Sequence, residues 1–233
     1  MTFVILNILH LFSFPFQEDG FRMNSKKYNL TGSVRNVTEM KVPAYLESGI
    51  WVIDSSEIRA IRKSVKSFDE NGLLDRILYL QGADEVNFFS IMLKSDQGTF
   101  QGSDEYDAQK QLQSKTEVLS ADEGKLETLT VHATTQERLS KSESTYKNGL
   151  LERQIRTYYG RDAYLFYKYK RDFRGNEIEI QEESRYDGEV FSQVYTIQYL
   201  EYDKEGNWTR RKECDVDGFS NCSLTIRSIT YYK

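Results

Sequence analysis

The chain has 233 residues, enough for one large domain or two small ones, and carries a formal net charge of -5 at neutral pH. Hydrophobic residues make up 39% and charged residues 29%, too polar for a thick apolar core, while 13% aromatic residues exclude simple disorder. Lysines and arginines are interleaved with acids and form no patch able to neutralise phosphates, so nucleic acid is not an expected partner.

Residues 1–17, MTFVILNILHLFSFPFQ, are apolar from Phe3 to Phe16 apart from Asn7, His10 and Ser13. The run is too short to span a bilayer as a helix and has the length of the apolar part of a secretory signal. No Lys or Arg precedes it and no small-x-small site follows, so a buried terminal strand or helix is the alternative. The signal reading predicts export to the periplasm, the cell surface or the medium. No later segment is apolar enough to cross a membrane as a helix, so contact with a membrane is expected to be peripheral at most.

Residues 18–233 read as a single domain. YNLTGSVRNVTEMKV and SGIWVID have strand composition and form a first hairpin, with Pro43 and Gly49 breaking between them. Ser55–Lys66 carries Ile58, Ile61 and Val65 at helical spacing behind Ser56 as a cap; it reads as a short helix over 55–66 or as another strand ending at Phe68. From there turns recur: Phe68-Asp-Glu-Asn-Gly72, Lys94-Ser-Asp-Gln-Gly98, Tyr106-Asp-Ala-Gln-Lys110, Ser120-Ala-Asp-Glu-Gly124, Tyr146-Lys-Asn-Gly149, Arg171-Asp-Phe-Arg-Gly175, Tyr186-Asp-Gly188, Tyr202-Asp-Lys-Glu-Gly206 and Cys214-Asp-Val-Asp-Gly218. Their spacings are 26, 12, 14, 25, 26, 13, 18 and 12 residues, mostly one or two units of about 13. A turn of about four residues and a strand of eight or nine gives that period. Between turns the sequence alternates, as in Leu129, Val131 and Ala133, or Tyr195, Ile197 and Tyr199. The expected fold is therefore all-β: one long antiparallel meander of about a dozen strands, curled or partly closed to hide an apolar face. The 16 tyrosines suit half-wet sheet faces.

The stretches YDKEGNWTRRKEC and FDENGLLDRILY resemble the YD repeat of RHS-type proteins, an aromatic-Asp-x-x-Gly unit followed about eight residues later by another aromatic. The opening YNLTGSVRNVTE and the ending IRSITYY resemble uncharacterised exported bacterial proteins built from degenerate repeats of this kind. The resemblance covers residues 28–233 loosely. It implies a β-hairpin scaffold in the cell envelope and no catalytic residue.

Residues that could carry chemistry are few. His132 is the one histidine outside the apolar start, so any Ser-His-Asp or Cys-His arrangement would have to use it, and its neighbours Thr130 and Thr134 suggest the solvent face of a strand instead; a zinc set of two or three His or Cys is excluded. Asp215-x-Asp217-Gly218 lacks the further calcium ligands wanted near Phe219 and Ile226 and reads as an ordinary turn. No metal, cofactor or catalytic residue is expected. Cys214 and Cys222 flank a turn at Asp217-Gly218, where a hairpin would set them opposite one another as a disulfide; such a bond needs an oxidising compartment. Four N-x-S/T sequons stand at Asn29, Asn36, Asn207 and Asn221. Tyr158, Tyr159, Tyr164, Phe166, Tyr167 and Tyr169 crowd into 12 residues. Alternation sends Tyr164 and Phe166 to one face, and Leu165, Tyr167 and Tyr169 to the other. Tyr164, Phe166, Tyr167, Tyr169 and Trp208 are the candidate ligand-binding aromatics, able to stack on a sugar or a partner chain; packing against a neighbouring strand is the alternative. The expected function is non-enzymatic: an exported binding or scaffold protein whose partner is an envelope protein or a glycan. A carrier holding an apolar or glycan ligand in the concavity of the sheet is the second reading. A glycosidase working with a pair of carboxylates is the third; no particular pair stands out among the 36 acids, and Glu179, Glu182 and Glu183 read as a solvated strand face.

Overall fold

The structure is a computed structural model and describes residues 24–48, 50–53, 62–81, 85–122, 124–216 and 222–233. The apolar start, the cysteine turn at 217–221 and the segment 54–61 lie outside these residues. Fifteen strands occupy the described chain: β1 (Val34–Glu47), β2 (Ile50–Ile53), β3 (Arg62–Phe68), β4 (Leu74–Gln81), β5 (Glu85–Lys94), β6 (Phe100–Asp107), β7 (Leu112–Asp122), β8 (Lys125–His132), β9 (Arg138–Lys147), β10 (Leu150–Tyr158), β11 (Ala163–Arg171), β12 (Glu177–Tyr186), β13 (Glu189–Tyr202), β14 (Trp208–Asp215) and β15 (Cys222–Tyr231). The part of the helix candidate that is described, Arg62–Lys66, belongs to β3, so there the strand alternative holds.

Each strand from β3 onward pairs antiparallel with the next, and β1 pairs with β3 on one side and β15 on the other. Fourteen strands therefore close into a barrel, with β2 pairing the end of β1 beyond β3. The expectation of a dozen strands only partly closed is corrected on both counts. The physical reason is edge chemistry: an open sheet of this length would leave two unpaired strand edges, and the ten pairs from Val34–Tyr231 to Ala44–Cys222 remove both. Pro43 does not break β1. It falls between the last residue paired to β3, Lys41, and the first paired to β2, Ala44, where a residue without an N–H disturbs the ladder least.

The recurring turns have one local cause. At Asp69, Ser95, Asp107, Asp172 and Asp203 the backbone N–H donates to the carbonyl four residues on, and the residue three on donates back. The side-chain oxygen of each accepts a further bond from the N–H four residues on, at 2.8–3.1 Å. Serine does this as well as aspartate, and Lys110 stands at φ 62° where the other four turns have glycine. The period of about 13 therefore reports hairpin geometry, strand length plus a three-residue loop. His132 serves a longer variant, its Nδ1 accepting from Thr134 and Thr135 N–H at 3.3 and 3.2 Å.

One mouth of the barrel is stoppered by residues 24–33. A 3-10 turn, Ser25–Tyr28, enters between the β3–β4 and β11–β12 turns. Ser25 N–H donates to Gly72 O at 2.8 Å, Asn29 Nδ2 to Asn176 Oδ1 at 2.6 Å, and Thr31 N–H to Asn207 Oδ1 at 2.6 Å. Behind it lies the main apolar core: Leu30, Val34, Val37, Phe68, Leu74, Ile77, Met92, Phe100 and Leu126, with Tyr28 edge-on to Phe68 at 5.8 Å. Each such side chain contributes about 1.5–3 kcal/mol by burial. A smaller cluster sits outside the barrel, where Trp51 of β2 covers Val42, Ala44 and Leu224.

Two substitutions test this frame. Gly102 lies inside β6 at φ 152°, and a Cβ there would stand 2.0 Å from the Thr116 carbonyl oxygen of β7. Gly102→Ala must push the strands apart and is expected to lower stability by about 3 kcal/mol in urea melts; a loss under about 0.5 kcal/mol, the range of neutral surface changes, would contradict the pairing. Cys214 and Cys222 are bonded to one another and face each other directly in the β14–β15 register. Cys214→Ser is expected to cost about 2–3 kcal/mol, with dithiothreitol reproducing the loss in the unmutated protein; equal melting curves with and without reductant would contradict it.

Candidate functional site

Alternation along closed strands sorts side chains into lumen and exterior. Ser90, Ser114, Ser140, Ser142 and Ser144 are buried and turn inward, while Ile91, Leu93, Leu119 and Leu139 are exposed outside. From these anchors the register places Tyr79, Phe88, Glu105, Thr116, Thr130, Arg156, Tyr167, Tyr169, Glu182, Tyr195 and Tyr199 on the lumen face. The lumen is thus lined by hydroxyls, rings and charges. The exterior is charged as well: Glu127, Lys141 and Glu143 form one outer cluster, and Lys170–Glu179 and Arg185–Asp162 form outer pairs. Eight-stranded barrels are filled by their own side chains and barrels of 16–18 leave an aqueous channel; fourteen strands fall between the two.

The lumen floor, against the stopper, holds a charged cluster. Glu39 of β1 accepts from Lys66 Nζ and from Arg227 Nε, the latter at 2.6 Å. Glu177 accepts from Arg171 Nη2 at 3.1 Å and Arg211 Nη1 at 3.0 Å. Glu213 pairs with Lys41 and lies 3.8 Å from Arg211. Two bulges build this arrangement. Simple alternation would put Glu177 outside with Glu179, but the register shift opposite Lys170 and Arg171 turns it inward. Likewise the shifts between Tyr199 and Tyr202 turn Trp208 away from the exposed side of Arg210 and into the floor. There Trp208 is 3% exposed, with the guanidinium carbons of Arg227 and Arg211 3.4 and 4.8 Å from its ring centroid.

Charge states follow from this packing. Burial pushes the Glu39 carboxyl up, but Arg227 and Lys66 outweigh it and hold it well below the usual carboxylate range. Burial pulls Arg227 down; Glu39 opposes this, neighbouring Arg211 adds to it, and the net direction is down. Burial also lowers Arg211, but Glu177, Tyr199 and Glu213 together raise it above its ordinary value. Around these residues lies a cavity of about 190 Å³, lined by Glu39, Lys66, Arg171, Glu177, Arg211 and Arg227 together with Tyr28, Asn29, Gly175, Tyr199 and Trp208.

Above the floor a second group faces the lumen. Tyr79 stacks on Phe88 at 4.3 Å, and Tyr167 on Tyr169 at 6.4 Å. Arg156 of β10 acts electrostatically on Tyr79 of β4 and Glu105 of β6, from the other side of the ring. Burial raises the Glu105 carboxyl, and Arg156 only partly offsets it. Burial, with Glu182 next, pushes the Tyr195 hydroxyl up to about 12, so these phenols stay protonated and able to donate.

The candidate aromatics divide. Tyr167, Tyr169 and Trp208 face the lumen, whereas Tyr164 and Phe166 lie outside, Tyr164 donating to Glu183 and Phe166 lying 5.1 Å from the Arg153 guanidinium. Of the three glutamates read as a solvated strand face, Glu179 and Glu183 are on the exterior and Glu182 turns to the lumen. Asn207, one of the sequons, is 1% exposed and holds the stopper, which excludes a glycan there. No cluster of three metal-ligating side chains occurs among the described residues. The sequence reading missed Glu39, Lys66, Arg171, Arg211 and Arg227; the signal for Arg211 was its place in the basic run beside Trp208.

No family model matches the chain, and no curated protein matches it. Solved structures similar to it include a porin-like protein from Bacteroides vulgatus, at 11% identity and TM-score 0.46, covering 87% of this chain and 99% of that one. A porin-like protein from Bacteroides uniformis matches at 10% identity and TM-score 0.46, covering 84% and 96%. A putative outer membrane lipoprotein-sorting protein domain from Vibrio parahaemolyticus matches at 8% identity and TM-score 0.33, covering 89% of each. The resemblance to YD-repeat, RHS-type proteins is corrected: the chain closes on itself as a 14-stranded barrel, and its recurring turn is a local hairpin solution that serine, lysine and histidine also serve.

Proposed function

We propose that this chain is a non-enzymatic binding protein of the cell envelope, a barrel stoppered at one mouth that holds a polar ligand in its lumen. The observation that carries this reading is the lumen wall itself: rows of serine, threonine and tyrosine with a few charges, closed below by residues 24–33. Two features argue against a membrane pore. The exterior carries lysine, arginine and glutamate at mid-strand, each basic side chain costing about 2–4 kcal/mol at a bilayer midplane, and the stopper blocks passage. Export fits the disulfide and the apolar start. A polar lumen favours a glycan over an apolar ligand, because buried hydroxyls and charges facing hydrocarbon would lose their partners. Tyr167 and Tyr169 supply stacking faces for sugar rings, while Tyr164 and Phe166, being outside, suit contact with an envelope partner.

The test is a thermal-shift screen of the full chain against neutral and acidic oligosaccharides. A ligand at a hundred times its Kd adds about 2.7 kcal/mol, expected to raise Tm by roughly 5–10 °C for a chain of this size. Tyr167→Ala should abolish the shift. No shift with any sugar would overturn the reading, and cleavage of a sugar that disappears in Glu105→Gln would replace it with the carboxylate hydrolase.

A further inference from the structure

The floor cavity is unevenly charged. Its lining contains four cations, Lys66, Arg171, Arg211 and Arg227, against two carboxylates, Glu39 and Glu177. Adding the Lys41–Glu213 pair leaves that excess unchanged. The cations are not at the surface: Arg227 is 7% exposed and Arg171 and Arg211 are each 17% exposed. Their carboxylates are already fully engaged, with Glu39 shared by Lys66 and Arg227 and Glu177 shared by Arg171 and Arg211. Donor capacity remains. Arg171 Nε, Arg211 Nε and Arg227 Nη1 are buried and have no hydrogen-bond partner among the described residues. A buried donor left unpaired costs roughly 1–3 kcal/mol, more on a charged group; Arg185 Nε and Arg210 Nε on the exterior share this state, but among the described residues only here do three such residues line one cavity. A guanidinium cannot relieve the strain by losing its proton. What relieves it is an acceptor that brings negative charge.

We propose that this cavity binds an oxyanion, the carboxylate, phosphate or sulfate group of the lumen ligand, through Arg171, Arg211 and Arg227. The inference rests on the lumen-binding reading and narrows its ligand to one bearing an acidic group. Room is sufficient: a water needs about 10–15 Å³ of such volume, and the cavity offers about 190 Å³. Arginine suits the task because its fork matches the planar and tetrahedral faces of oxyanions. The guanidinium carbons of Arg227 and Arg211 lie over the Trp208 ring, 3.4 and 4.8 Å from its centroid, a cation–π contact that helps hold both donors in place before the ligand arrives. Burial and the neighbouring guanidinium already disfavour the charged form of Arg227, and an anion would reverse that.

Trp208 also reports the event. In a Trp51→Phe background the full chain would be titrated with sodium phosphate, sodium sulfate and sodium acetate at constant ionic strength set with chloride, and Trp208 fluorescence recorded. The expected result is a saturable change with one or more of these anions that chloride does not give. Arg227→Lys and Arg211→Lys keep the charge facing Glu39 and Glu177 and remove the fork; each is expected to weaken binding at least tenfold while the circular dichroism spectrum stays unchanged. Phosphate and sulfate outcompeting acetate would assign a phosphoryl or sulfo group, and the reverse order a carboxylate. Fluorescence that follows chloride in the unmutated arginine background would overturn the proposal, as would unaltered affinity in a folded lysine variant. If neutral oligosaccharides still stabilise the chain in that case, the lumen reading stands and only the oxyanion falls; if no ligand of either kind binds, both fall.

Discussion

Glu39→Gln is expected to lower the stability of the protein by roughly 3–5 kcal/mol at neutral pH, the usual result of removing one partner from a buried ion pair. Two cations depend on this carboxylate. Arg227 donates its Nε and Lys66 its ammonium, and the Glu39 side chain is only 18% exposed. Glutamine keeps the shape and one acceptor oxygen but removes the charge, leaving both cations in a site already crowded by Arg211. The effect has a pH signature. The folded pKa of Glu39 is depressed, so its stabilisation is present above the ordinary glutamate pKa, about 4.3, and is lost as pH falls below that towards the folded value. Each pH unit in that window removes about 1.4 kcal/mol from the unmutated protein and nothing comparable from the variant. Urea melts at pH 7 and pH 3 should show the gap between the two proteins narrowing at the lower pH. A gap that is equal at both would mean that Glu39 is not the ionised anchor of the floor.

Asn207→Ala is expected to cost about 2–4 kcal/mol and to free the stopper. Asn207 is 1% exposed and works in several directions at once: Oδ1 accepts from Thr31 N–H at 2.6 Å, and Nδ2 donates to Thr31 O at 2.9 Å and to Tyr231 Oη at 2.7 Å. It copies a strand partner for Thr31, and its own backbone N–H is held by Asp203. Alanine would remove both bonds to Thr31, which is itself exposed so that water takes over part of the loss, and the bond to Tyr231 Oη, each worth about 0.5–1.5 kcal/mol, and would leave a gap beside Tyr231. Limited trypsin digestion at Lys26 and Lys27 should accelerate in the variant before the barrel itself is cut. Unchanged cleavage there would show that residues 24–33 are held by something other than this contact.

The all-β class, the antiparallel meander and the hairpin positions were legible because they depend on local chemistry. Asp-x-x-Gly turns and period-two alternation act within a dozen residues. Closure was not legible, because the pairing of Val34 with Tyr231 is a contact between chain ends whose residues carry no local mark of it. The lumen was hidden for another reason. Both faces of these strands are polar, so Ser142 inside and Lys141 outside look alike in sequence, and alternation cannot say which is which. The floor was hardest. Glu177 and Trp208 reach it only through bulges that reverse the alternation, and Ile178 beside Glu177 reads as an ordinary strand pattern. The candidate aromatics were half separable: alternation divided Tyr164 and Phe166 from Tyr167 and Tyr169, and the structure then fixed which pair is inside.

Hydrogen exchange of the full chain, followed by mass spectrometry on peptides spanning 24–33, 34–44 and 222–231, tests the stoppered barrel most directly. All three regions are expected to be protected, and the stopper to exchange about as slowly as the closing strands β1 and β15, because opening any of them means opening the apolar core they share. Exchange of 24–33 within seconds beside protected strands would leave the mouth unblocked and contradict the closed floor. Rapid exchange of both 34–44 and 222–231 would contradict the barrel itself.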